Sequence, residues 1–250
     1  MPSSDRTVLE QYAARLTAAI NAVARDEAEA INRAAGVIAD QLRRDGLIYV
    51  YGPGAHSAIA VQDVFYRAGC PANVVPISDT GTTLAAGALA STQAERATNH
   101  GSTVIAASGI SPGDPLIIVN AFGINAAALN AARTARSLGA QVIALTTPAA
   151  TAALPADHPA RAEPTTTLAD LADIHVDTHV PTADALLELT PTLRVAGAST
   201  VLNSFALHAI LATAVDQART TTVWRSTYTP GADTHNAQTA ARYRPRIPHL

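Results

Sequence analysis

The chain has 250 residues, 48% of them hydrophobic, with a formal net charge of −3 and one cysteine. This composition supports one large α/β domain with a substantial core and offers no basic patch for nucleic acid. No apolar run approaches the roughly 18–20 residues that cross a bilayer, so no membrane partner is expected, and the lone Cys70 rules out an internal disulfide and fits a reducing, cytoplasmic setting.

Along the chain, apolar residues at Leu9, Tyr12, Leu16, Ile20 and Val23 follow helical spacing, with Ser4 or Asp5 as the cap. A second helix carries Ile31, Ala35, Ile38 and Leu42 and stops at Gly46. Residues 1–46 thus form a helical arm, part of whose apolar stripe is read as a subunit interface, with packing on the parent domain as the alternative. Strands are predicted at Leu47–Tyr51, Asn73–Ile77, Leu116–Val119, Gln141–Leu145 and Ile174–Thr178. Helices are predicted at Ser57–Ala68, Thr80–Ala90, Ser91–Asn99 and Asn125–Leu138, and from Ser199 to about Ala218. A Pro/Ala/Thr-rich loop fills 147–167, and a tail over 221–250 ends in a helix from Asp233 to Tyr243. Alternating strands and helices at this spacing imply βαβ units and a parallel sheet across 47–220.

Two strand-to-helix turns carry the functional signal, Gly52-Pro-Gly-Ala-His-Ser57 and Asn120-Ala-Phe-Gly-Ile-Asn125. Each passes from an apolar run through glycine into a helix, presenting backbone N–H groups to a polar or anionic ligand. Two such turns predict one crevice at the C-terminal ends of parallel strands. The first also has the start of a dinucleotide fingerprint, with Asp79 after the second strand as a ribose acid, but Ser57 replaces its third glycine. All 17 basic residues are arginine. Schiff-base, pyridoxal-phosphate and P-loop lysine chemistry are therefore excluded, and proton transfer falls to His, Asp, Glu, Tyr or Cys.

An ordered series of short motifs gives these turns a family. It runs through the G-x-G turn with His56-Ser57, Phe65-Tyr-Arg-Ala-Gly69, Gly87-Ala-Leu-x-Ser-Thr92 and Glu95-Arg96. It continues with Ser111-Pro-Gly-Asp114, Gly139-Ala-Gln-Val-Ile-Ala-Leu-Thr146, His158-Pro159, Asp184-Ala185, Ser199-Thr-Val201 and Gly231-x-Asp-x-His-Asn236. The series resembles the sugar isomerase (SIS) domain superfamily, closest to its single-domain bacterial phosphosugar or phosphoheptose isomerase-like members. The resemblance implies a doubly wound α/β fold with a five-stranded parallel sheet, a small-molecule sugar as ligand, and a homodimer or homotetramer with sites near subunit contacts.

In related SIS proteins the third-strand turn offers two serine hydroxyls to a sugar phosphate. Here those positions are Asn120 and Phe122, while Gly123 and Asn125 remain. Each lost charge-assisted bond costs roughly 1.5–3 kcal/mol. The reading is therefore an aldose–ketose isomerase acting by enediol proton transfer on an unphosphorylated or sulfonated sugar. A phosphosugar isomerase, an SIS lyase or etherase, and a non-catalytic sugar sensor are the alternatives. His56 and His235 are assigned as acid/base groups, with Asp233 as orienter or alternative base. Gly54, Ser57, Asn120, Gly123, Asn125, Ser199, Thr200 and Asn236 are assigned to the ligand pocket. No cofactor is expected. A zinc ion on His56 with His235 or Asp233 is left open, because some phosphoheptose isomerases use one. His175 and His179, on a strand, lie about 13 Å apart at roughly 3.3 Å per residue and cannot share an ion. Asp63 is read as a helix acid or an outer partner of the site, Cys70 as packing, and Trp224 and Tyr228 as sugar platforms or interface residues.

Overall fold

The computed structural model describes residues 6–219 and 222–250. Its centre is set by strands that are apolar on both faces, as parallel strands covered by helices must be. In β1 (Ile48–Tyr51), Ile48 and Val50 enter one core, and Tyr49 and Tyr51 enter the other. β3 (Pro115–Val119) divides the same way, with Ile117 and Val119 opposed to Leu116 and Ile118. With β2 (Val74–Pro76), β4 (Gln141–Thr146) and β5 (Ile174–Asp177) they form one parallel sheet in the order β2-β1-β3-β4-β5. The five-stranded, helix-flanked α/β fold is the one the sequence implies.

One face of the sheet is covered by α2 (Ala28–Arg43), α3 (Ala55–Val64) and the 20-residue α8 (Ser199–Ala218). The other is covered by α5 (His100–Ala106), α6 (Ala126–Ser137) and the tail, through Trp224, Tyr243 and Ile247. α2 belongs to the main core: Ala34, Ala35 and Ile38 are fully buried. By contrast α1 (Val8–Asp26) buries only Val23 and leaves Val8 and Leu9 exposed. The cap assigned to Ser4 or Asp5 lies outside the described residues; Thr7 caps α1 in a reciprocal pair with Glu10.

Several segments depart from the predicted elements. α3 stops at Val64, not Ala68, because the tail takes the following residues: Gly69 and Ala72 donate to the carbonyls of Trp224 and Thr222, and Trp224 donates to that of Cys70. The segment 80–99 is two 3₁₀ turns and the short α4 (Ala88–Arg96), broken at Gly87 with φ of 92°. Further elements among the described residues have no counterpart in the sequence reading. They include α5, the one-turn α7 (Leu168–Leu171), and an antiparallel hairpin of β6 (Ala185–Thr190) and β7 (Leu193–Gly197). The last helix, α9, spans Ala232–Tyr243.

Candidate active site

The strand order reverses between β1 and β3, and there the two glycine turns meet. They line one cavity of about 240 Å³. The β1 turn and α3 give it Gly54, Ala55, His56 and Ser57, and the β3 turn gives Asn120, Ala121, Phe122, Ile124 and Asn125. Thr92, Glu95 and Arg96 of α4, Ala160 of the long loop, Asp184 and Ser199 complete the wall. Asn120 fastens the turns to each other. Its amide Nδ2 donates to the Pro53 carbonyl at 2.7 Å, and its Oδ1 accepts from the Gly123 N–H at 2.8 Å. Gly123 has φ of 57°, and a Cβ there would collide with Thr146. Asn125 caps α6, its Oδ1 accepting from the Ala128 N–H at 2.9 Å.

With Asp184, Glu95 is one of two acids lining this cavity. Asn125 Nδ2 donates to its Oε2 at 2.9 Å, and its carboxylate lies against Gly54. Burial pushes the carboxyl above its ordinary value of 4.5, and Asp79 adds to this, against the pull of Asn125 and Arg96. A carboxyl whose pKa is raised inside a cleft is suited to moving protons. In the sequence Glu95 stands only as part of the Glu95-Arg96 motif. Its role depends on Asn125, 30 residues away, and on the fold of 80–99.

That segment is closed at its base by Asp79. The Asp79 carboxylate accepts from the Tyr51 hydroxyl at 2.7 Å, the Thr82 hydroxyl at 2.9 Å and the Gly81 N–H at 3.1 Å, and pairs with His100 Nε2 at 2.8 Å. Ser91 donates to the Thr82 carbonyl, and Asn130 donates to that of Thr98. Asp79 is thus spent on protein donors and is not placed as a free ribose acid. Burial raises its pKa, but the bonds from Tyr51, His100 and Thr82 outweigh this and hold it below the ordinary value.

Of the residues the sequence assigned, the cavity gathers Gly54, His56, Ser57, Asn120, Asn125 and Ser199. Gly123 shapes the turn from behind. Thr200, Asp233, His235 and Asn236 do not line the cavity. His235 Nε2 bonds the Val223 carbonyl at 3.0 Å, and the Asn236 side-chain amide clamps the Arg225 backbone, Oδ1 accepting from its N–H and Nδ2 donating to its carbonyl. Asp233 is exposed in the first turn of α9, beside the tail. The tail bridges instead to Ala68 and Pro71, in the segment between α3 and β2, and Val223 and Arg225 of that tail are what hold His235 and Asn236. Within the chain His235 and Asp233 therefore do not meet His56, and among the described residues no group of three His, Cys, Asp or Glu fits a metal ion.

The other candidates are accounted for by packing. His175 bonds the Thr146 carbonyl, while His179 faces Glu27. Asp63 pairs with His208 at 2.9 Å, and His208 Nδ1 lies 3.8 Å from the Cys70 sulfur. This has the order of a nucleophile chain. However, burial, with Asp63 adding to it, pushes the thiol up to about 11, so it stays protonated near neutral pH. Trp224 is 2% exposed and packs on Tyr66, which fixes it as a core residue, whereas Tyr228 is 97% exposed.

The family model described as the SIS domain matches residues 11–147. The chain belongs to the SIS domain family. A UPF0309 protein of Brucella anthropi is 35% identical over 247 residues, covering 97% of this SIS chain and 99% of that one. A second UPF0309 protein, from Brucella canis, is 36% identical over 224 residues, covering 88% and 89%. Among solved structures, a phosphoheptose isomerase from Francisella tularensis superposes with a TM-score of 0.53 at 17% identity over 84% of this chain and 98% of its own. A phosphoheptose isomerase from Neisseria gonorrhoeae gives 0.51 at 18% identity, over 84% and 99%. At these identities the likeness is one of SIS fold. Across the described residues, no helix is long and apolar enough to cross a membrane.

Proposed function

We propose that this SIS protein is an aldose–ketose isomerase for a sugar without a phosphate, with Glu95 as the base. The observation that carries the reading is the Glu95 carboxyl, raised by burial and bound to Asn125 in the cavity shared by both glycine turns. Ionised, it takes the proton from carbon 2 of the aldose; the electron pair moves to form an enediol, and the same carboxyl returns the proton to carbon 1. Negative charge grows on the substrate oxygens as this happens. α3 has no side-chain cap at Gly54, so the N–H groups of Ala55, His56 and Ser57 are available to that charge. His56, exposed at the rim, is the group for moving the proton between O1 and O2.

Two features favour an unphosphorylated substrate. The β3 turn offers Phe122 and an Asn120 already bonded on both sides. The N-termini of α6 and α8 already face carboxylates of the protein itself: Glu95 through Asn125, and Asp184 through Ser199. The solved neighbours are described as phosphoheptose isomerases, so the contrast is open to direct test. Calorimetry with matched sugars, with and without phosphate, should show tighter binding of the unphosphorylated member; tighter binding of the phosphorylated one would overturn the substrate assignment. The reading also has the chain act as a homodimer or homotetramer, supported by the exposed apolar start of α1.

A further inference from the structure

The hairpin β6–β7 explains a feature of the cavity that the two glycine turns do not. Its register pairs Ala185 with Gly197, which sets the preceding Asp184 beside the following Ala198 and Ser199, the start of α8. Asp184 Oδ1 accepts from the Ser199 N–H at 2.7 Å and from the Ala198 N–H at 3.2 Å. Its Oδ2 accepts from the Ser199 hydroxyl at 3.0 Å. To do this Asp184 adopts φ of 54°, a left-handed conformation that a non-glycine residue holds only against a steric cost. The hydroxyl and N–H groups that would otherwise face a ligand at the N-terminus of a 20-residue helix are turned onto a carboxylate of the same chain.

We infer that Asp184 is the specificity-determining residue of this cavity, an internal anion that keeps phosphate off the α8 N-terminus and leaves the site to neutral sugar hydroxyls. The inference rests on the sugar-isomerase reading and deepens it. Glu95 already sets one carboxylate on the cavity wall, and Asp184 adds a second at the start of α8. A phosphate bearing up to two charges would meet the like charge of Asp184 at the helix start, with Arg96 as the arginine of the lining. Neutral hydroxyls carry no such penalty, and they can donate to the lone pairs that the carboxylates keep free.

The test uses the intact protein, inorganic phosphate as probe, and two variants. Asp184→Asn keeps an acceptor for the Ser199 N–H, tolerates the left-handed backbone and removes the charge. Asp184→Gly relieves the backbone and vacates the helix N-terminus altogether. Phosphate binding is measured by calorimetry, with circular dichroism confirming the fold. The expected result is no measurable phosphate binding to the natural protein and measurable binding in each variant, at an affinity at least about tenfold above the detection limit that the natural protein fails to reach. If the natural protein excludes phosphate and both folded variants exclude it equally, Asp184 is not the excluding residue, and the inference fails while the isomerase reading stands. If the natural protein itself binds phosphate as well as the variants do, the unphosphorylated-substrate reading fails in that first arm, and the inference fails with it.

Discussion

Glu95 and Asp79 lie close in the fold and are driven in opposite directions by it. Burial raises Glu95, and a base works only when ionised, so turnover should fall as the pH drops through that raised value. The acid limb of kcat/KM is therefore expected above 4.5, the ordinary value for the side chain. The same shift works against folding at neutral pH. A carboxyl whose folded pKa lies above its unfolded one contributes stability below the unfolded value and loses it as pH rises through the folded value. Glu95→Gln should therefore raise Tm near neutral pH while abolishing turnover, which thermal scans and assays on one preparation will show. Asp79 has the opposite sign: its contribution is present above 3.8 and is lost as pH falls through its lowered folded value. Asp79→Asn should cost about 1–3 kcal/mol in urea unfolding at pH 7, the cost of disturbing a buried charged acceptor, and the gap to the natural protein should narrow below pH 3.8.

At the scale of elements, the crevice depends on the cross-brace by which Asn120 ties the β1 turn to the β3 turn. Asn120→Ala should destabilise the fold by about 1–3 kcal/mol, since it strands a buried carbonyl and a buried N–H, and should raise KM for the sugar. Equal stability and equal KM would remove Asn120 from the frame of the site. The turns themselves were legible in sequence because glycine after a short apolar run has few other uses, and the strands and α8 were legible as short and long apolar runs between turn residues. The hairpin and α5 were not. In the hairpin, β7 is largely exposed, so it carries little burial signal, and α5 has seven residues, too few for a periodic stripe. Glu95 was hidden for a different reason. Its chemistry comes from partners brought to it by the 80–99 segment, and local spacing carries no trace of them. His235 and Asn236 illustrate the converse, polar residues in a suggestive motif whose bonds go to the backbone of Val223 and Arg225.

At the scale of the molecule, two helical layers bury the sheet, and α1 is left with one buried residue out of 19. Apolar side chains at its start, Val8 at 51% and Leu9 at 74% exposure, lie next to no core cluster. If copies of the chain meet there, Leu9→Glu should shift the mass in sedimentation equilibrium towards the monomer without loss of helix content; an unchanged mass would place the contact elsewhere. The proposed function turns on one event, transfer of a carbon-bound proton by Glu95. The most direct measurement is NMR of deuterium entering carbon 2 of candidate sugars in D₂O, with the natural protein, Glu95→Gln and His235→Ala side by side. The account predicts incorporation by the natural protein and by His235→Ala, and a loss of at least about a hundredfold, the scale of a missing general base, in Glu95→Gln. Undiminished incorporation by Glu95→Gln would contradict it.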